Sequence, residues 1–147
     1  MSVTLDASVW LSAISSNERH HARCAKLVES LVEQQVPLHQ PVLFVIEVCA
    51  TIARRTRDRR LAMAAGEATL AWPYLTLYPL GHALASEAAE VAATCALRGA
   101  DAVYVATARH AGTTLLTLDA EVGERAAGVV TVQSPDAWLA HATRDRP

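Results

Sequence analysis

At 147 residues and 52% apolar content, the chain has the size and hydrophobic fraction of one ordinary packed domain, so a single domain over residues 1–147 is expected. A formal net charge of -2 excludes a chain that is basic as a whole, and any contact with a polyanion has to be local. The N-terminus opens directly on an apolar strand without a basic stretch, and no uninterrupted apolar run approaches ~18 residues, so neither secretion nor a membrane span is expected and the location reads as cytoplasmic.

Val3 to Leu5 reads as a short buried strand ending at Asp6, with a helix or helical turn from Ser8 to Ser15. Ser15 and Glu18 have the spacing of a capping box ahead of an amphipathic helix running to about Gln34. Pro41 suits the first turn of the next helix, LFVIEVCATIARR. That helix runs into RRTRDRR, where Arg54, Arg55, Arg57, Arg59 and Arg60 surround a single Asp. Such a run is either the solvated end of a helix or a local phosphate-binding patch. A further helix spans Leu61 to Ala71 and is stopped by Trp72-Pro73.

Leu75 to Tyr78 reads as the second strand, followed by an Ala-rich helix from about Ala83 to Leu97 that Gly99 closes. Asp101 stands where the N-cap of the helix AVYVATARHA is expected, and Gly112 ends that helix. Thr113 to Leu118 is a strand ending in Asp119, Val129 to Val132 another, and Pro135 to Ala142 a closing helix with a frayed tail after Thr143. Short apolar strands separated by helices indicate an α/β fold with a parallel sheet. Cys24, Cys49 and Cys95 lie far apart in apolar stretches and read as buried thiols in a reducing compartment. Trp10, Trp72 and Trp138 read as core or interface residues, and His20, His21 and Cys24 as a helix surface lacking the further ligands a zinc site needs.

Four acids stand out. The tetrapeptide Thr-Leu-Asp-Ala occurs at Thr4 to Ala7 and again at Thr117 to Ala120, each time as the exit from an apolar strand. Ligands of open parallel sheets bind at the carboxyl ends of strands, which puts Asp6 and Asp119 at the usual site edge; each is equally placed to cap the following helix. Glu47 interrupts the apolar run FVIEVCA, on a helical wheel near Thr51 and Arg54 and away from Val42, Val45, Cys49 and Ile52, so it faces either solvent or a cleft. Asp101 can cap its helix and bind a cation at once, because the helix N-terminus favours an ionised carboxylate. Acids converging without a cation repel one another, whereas a hard divalent ion removes that cost, activates water and stabilises charge on a phosphate. No nucleophile elbow, P-loop or Gly-rich dinucleotide loop is present.

The segments VTLDAS, VLFVIEV, LRGADAVYVATA and LLTLDAEV, in this order over nearly the whole chain, resemble the PIN-domain family and especially its VapC-type toxins. The resemblance implies a three-layer α/β/α sandwich with a central parallel sheet. It also implies an endoribonuclease that uses Mg²⁺ or Mn²⁺, with Asp6, Glu47 and Asp101 as core metal-binding acids and Asp119 as a further one. Ser8 and Thr117 match small hydroxyl residues beside the first and last acids, able to steady a carboxylate or phosphate or to serve as local hydrogen-bonders. Glu121 and Glu124 stand where some relatives carry an extra acid. An RNA substrate, an inhibitory antitoxin and a homodimer are implied in the same way; the arginines of Arg54 to Arg60, by their local charge, are the expected RNA contact. The alternatives are a catalytically silent PIN fold that binds RNA or protein, and a nuclease acting on structured DNA.

Overall fold

The computed structural model describes residues 1–144, with side chains to residue 141. Five strands, β1 (Val3–Leu5), β2 (Leu38–Pro41), β3 (Leu75–Tyr78), β4 (Thr114–Leu116) and β5 (Val132–Gln133), form one sheet in the order β3-β2-β1-β4-β5. All pairings are parallel; Leu5 lies opposite Leu116, and Val3 opposite both Leu38 and Thr114. Val3, Thr4 and Leu5 are all 0% exposed. Successive strand side chains point to opposite faces, so burial of all three means that both faces of β1 are covered.

The covering helices are α1 (Ala7–Ile14), α2 (His21–Glu33), α3 (Leu43–Thr56), α4 (Arg59–Leu70), α5 (His82–Cys95), α6 (Gly99–Ala111), α7 (Ala120–Ala126) and α8 (Pro135–Arg144). This is the expected α/β/α sandwich. Helix α6 is packed most deeply, with every residue from Ala102 to Ala108 buried and contacts to β1, β2, β4 and α5. Trp10 meets Phe44 and Trp72 edge-on, and Trp138 is buried, so the tryptophans are core residues. All three cysteines are free; Cys24 and Cys95 are buried, and burial pushes the Cys24 thiol up to about 11, which leaves it unreactive at neutral pH. Gly66 lets α4 approach α3 closely: a Cβ there would collide with Cys49 Sγ unless that side chain rotated away. No helix among the described residues is long and apolar enough to cross a membrane.

Several boundaries differ from expectation. Pro41 ends a central strand instead of opening α3; β2 (LHQP) lacks the apolar run that marks its neighbours, yet Leu38 and Gln40 are buried and His39 Nδ1 pairs with Tyr78 Oη. Ser15 caps the C-terminus of α1, and its carbonyl, not its hydroxyl, receives the Glu18 N–H, so the capping box is a turn and α2 starts at His21. Helix α5 stops at Ala96, which adopts a left-handed φ of 52°, while Gly99 opens α6. Arg98, not Asp101, occupies the N-cap of α6, and Asp101 sits inside its first turn. Buried α3 residues are Phe44, Val48 and Ile52, so of the expected stripe only Ile52 faces the core; Val45 and Cys49 instead line a groove facing α4. Strand β4 is shorter than its apolar run, β5 shares only Val132 with the expected Val129 to Val132 because Val129 and Val130 lie in the turn after α7, and α8 runs to Arg144; the rest of the expected tail lies outside the described residues.

The chain steps from β1 through β2 to β3 in one direction, then returns to add β4 and β5 on the other side of β1. The direction of winding therefore reverses between β1 and β4. In open α/β sheets the crevice outside the carboxyl ends of such a strand pair is where ligands bind.

Candidate active site

Asp6 leaves β1 at that crevice and acts as the N-cap of α1, with Oδ1 accepting the Ser8 N–H at 3.2 Å. Thr117, just beyond β4, donates its hydroxyl to Asp6 Oδ2 at 2.7 Å and accepts the Asp119 N–H at 3.0 Å. This one hydroxyl fastens the exit of β4 to the exit of β1. Asp119 caps α7, its Oδ1 receiving the N–H groups of Glu121 at 2.8 Å and Val122 at 3.4 Å. The capping role expected for Asp6 and Asp119 is thus real, and it leaves Asp119 Oδ2 clear of those bonds.

Glu47 is half-buried on α3 and shares a cleft of about 500 Å³ with Asp6, Ser8, Glu18, His20, Arg54 and Arg55. Its Oε2 accepts the Tyr104 hydroxyl at 2.5 Å. Ser8 Oγ, in the same cleft, is buried and without a hydrogen-bond partner. Asp101 and Asp119 line a smaller depression of about 170 Å³ with Arg98, Glu121 and Arg125. Glu124 lies outside both.

Electrostatics joins the two depressions. Burial pushes Glu47 above the usual carboxylate range, the Tyr104 hydrogen bond opposes this, and the charges of Asp6 and Asp101 add to it. Asp101 is pushed up by burial and then by Asp6 and Asp119, with Arg98 offsetting part of the effect. Asp6 thus acts on both Glu47 and Asp101, and Asp101 links them to Asp119. Each acid is fixed by a different device: a strand end, a helix face, a first turn and a cap.

The donor set is carboxylate oxygen whose negative charge nearby arginines offset only in part, which fits a hard divalent cation. Among the described residues no group of three or more His, Cys, Asp or Glu side chains stands close enough together to hold a metal ion. That is compatible with Mg²⁺, which keeps several waters and takes one or two carboxylates together with substrate phosphate.

The arginine run is divided by the fold. Arg54 and Arg55 line the acid cleft, with Arg55 Nη1 paired to Glu18 Oε1 at 2.6 Å. Arg57, in the left-handed C-cap of α3, and Arg59 instead border a groove of about 670 Å³ lined by Val45, Ile46, Cys49 and Met63. Arg60 is exposed and lines neither. Sequence reasoning missed Tyr104, Glu18 and His20. Tyr104 carried one signal, a hydroxyl inside an otherwise apolar helix three residues after Asp101. Glu18 and His20 carried none, because the turn that brings them to the cleft was read as helix.

The PIN-domain profile matches residues 3–128. No curated protein matches the chain. Among solved structures, it is similar to VapC20 of Mycobacterium tuberculosis, described as a sarcin-ricin loop cleaving toxin, at 21% identity and a TM-score of 0.71, covering 90% of this chain and 99% of that one. FitAcB of Neisseria gonorrhoeae is similar at 19% identity and a TM-score of 0.70, covering 90% of this chain and 97% of that one. VapBC2 of Rickettsia felis, bound to a DNA fragment from its promoter, is similar at 12% identity and a TM-score of 0.70, covering 91% and 98%. With a profile match across most of its length and a parallel sheet whose switch point gathers the acids, the chain belongs to the PIN-domain family, and its fold is that of VapC-type toxin structures.

Proposed function

We propose that this chain is a divalent-metal-dependent endoribonuclease, a single nuclease domain acting in the cytoplasm as the toxin of a toxin-antitoxin pair. The observation that carries the reading is that Glu47 and Asp101, both raised by burial, also feel the charge of Asp6, and Asp101 that of Asp119, at the switch point of the sheet. Asp6, Glu47 and Asp101 would hold Mg²⁺ or Mn²⁺, and Asp119 would hold the ion or a water beside it. The bound cation would supply water activation and charge stabilisation on phosphorus. Thr117 keeps Asp6 oriented through its 2.7 Å hydrogen bond, and the unpartnered Ser8 hydroxyl is available to a phosphate oxygen. Arg54 and Arg55, on the same cleft, would neutralise the flanking backbone of a single strand.

The VapBC and FitAcB neighbours support an antitoxin partner, and a homodimer is part of the same proposal. Arg57 and Arg59 beside the apolar α3–α4 groove match a partner helix with one apolar face and acidic residues at its edge. The test is cleavage of single-stranded RNA in Mn²⁺ by wild type and by Asp6→Asn. Cleavage is expected from wild type and a loss of at least ~100-fold from the variant, in the range of removing a key electrostatic group. A chain that binds RNA or protein but cleaves neither RNA nor structured DNA would be a silent member of the family, and equal cleavage by both chains would remove Asp6 from the site.

A further inference from the structure

Tyr104 is the residue at the site that neither a strand end nor a cap requires. It is 2% exposed and lies three positions after Asp101, so the two share a face of α6. Its hydroxyl donates to Glu47 Oε2 at 2.5 Å, and the backbone of Ala7, the residue after Asp6, lies near enough to act on it. That bond joins α6, which carries Asp101, to α3, which carries Glu47, beside the β1–α1 junction that carries Asp6. A glutamate has several staggered rotamers open to it, and an inflexible buried donor selects among them.

We propose that Tyr104 is a positioning residue: its hydroxyl locks the Glu47 carboxylate through Oε2 and leaves Oε1 for a divalent cation. This rests on the metal-centre reading above. Groups one bond outside a metal ligand commonly alter affinity or activity by about 10–100-fold when removed. The hydroxyl here does for Glu47 what the Thr117 hydroxyl does for Asp6.

The experiment is a double-mutant cycle of Tyr104→Phe and Glu47→Ala on the full chain, read by direct Mn²⁺ titration and by metal-free thermal melts. Phe retains the ring that fills the core, so only the hydroxyl is lost. Tyr104→Phe is expected to weaken Mn²⁺ binding by about 10–100-fold in the presence of Glu47 and to have no further effect once Glu47 is Ala. Equal weakening in both backgrounds, or none in either, overturns the proposal. Should wild type bind no Mn²⁺, the metal reading fails by itself, and the metal-free melts still decide the positioning role: non-additive shifts in Tm support it and additive ones overturn it. A Tyr104→Phe chain that does not fold also overturns it, because the hydroxyl would then be holding the whole fold and not one carboxylate.

Discussion

Asp101 and Glu47 both ionise against burial and against neighbouring carboxylates, and the direction of that effect fixes a pH dependence. A carboxyl raised in the folded state binds more protons there than in the unfolded chain across the window between the usual carboxylate range and its raised value. Stability of the metal-free protein therefore falls as pH rises through that window and is lowest once both groups are ionised. Asp101→Asn removes one contributor. Its metal-free stability is expected to fall less with rising pH than that of wild type, with solvent screening at this part-exposed group holding the difference to about 1 kcal/mol or less. Urea melts in EDTA between acid and neutral pH measure it; parallel curves for the two chains would mean that neither burial nor neighbouring charge raises Asp101.

Helix α3 performs two tasks, and they separate along its length. Its N-terminal half carries Glu47 into the cleft, while its last turn sends Arg54 and Arg55 to the acids and the left-handed Arg57 to the groove beside α4. Replacing Arg54 and Arg55 together by Ala is expected to flatten the log-salt dependence of RNA binding by about 0.7 per lost phosphate contact. Replacing Arg57 and Arg59 is expected to leave that slope intact, and fluorescence anisotropy across a salt series distinguishes the two pairs. If both pairs flatten it equally, the arginine run acts as one patch and the division has no consequence for RNA.

Elements with strong periodicity were legible in the sequence. The apolar strand preceding Asp6, the Ala-rich α5 and the buried α6 with Gly112 at its left-handed end stand where patterning puts them. β2 was hidden because its side chains satisfy tertiary needs: His39 reaches Tyr78, and Pro41 has no N–H to give where the strand ends. Asp101 was misassigned as a cap because Asp-x-x-apolar patterns fit both a cap and a first-turn position; Arg98 takes the cap without any side-chain bond. Ala96 in the left-handed region, where Gly is favoured, gave no local sign that α5 ends there.

At the scale of the molecule, a parallel sheet places its carboxyl ends on one edge, and the reversal between β1 and β4 opens that edge where Asp6 and Thr117 meet. Four acids drawn from separate parts of the chain are there by topology, and the identity of each residue was legible where its neighbours in space were not. The single hydroxyls of Thr117 and Tyr104, donated across 111 and 57 residues of chain, tie that arrangement together. The central claim is that this edge is one cation site. It is tested most directly by thermal melts of the full chain in EDTA and in Mn²⁺, for wild type and for Asp101→Asn. A ligand that binds only the folded state stabilises it by RT ln(1 + [L]/Kd), about 2.7 kcal/mol at a hundredfold excess over Kd. Wild type is expected to show a Mn²⁺-dependent rise in Tm that the variant lacks; a melt that Mn²⁺ moves in neither chain, or moves equally in both, would contradict the account.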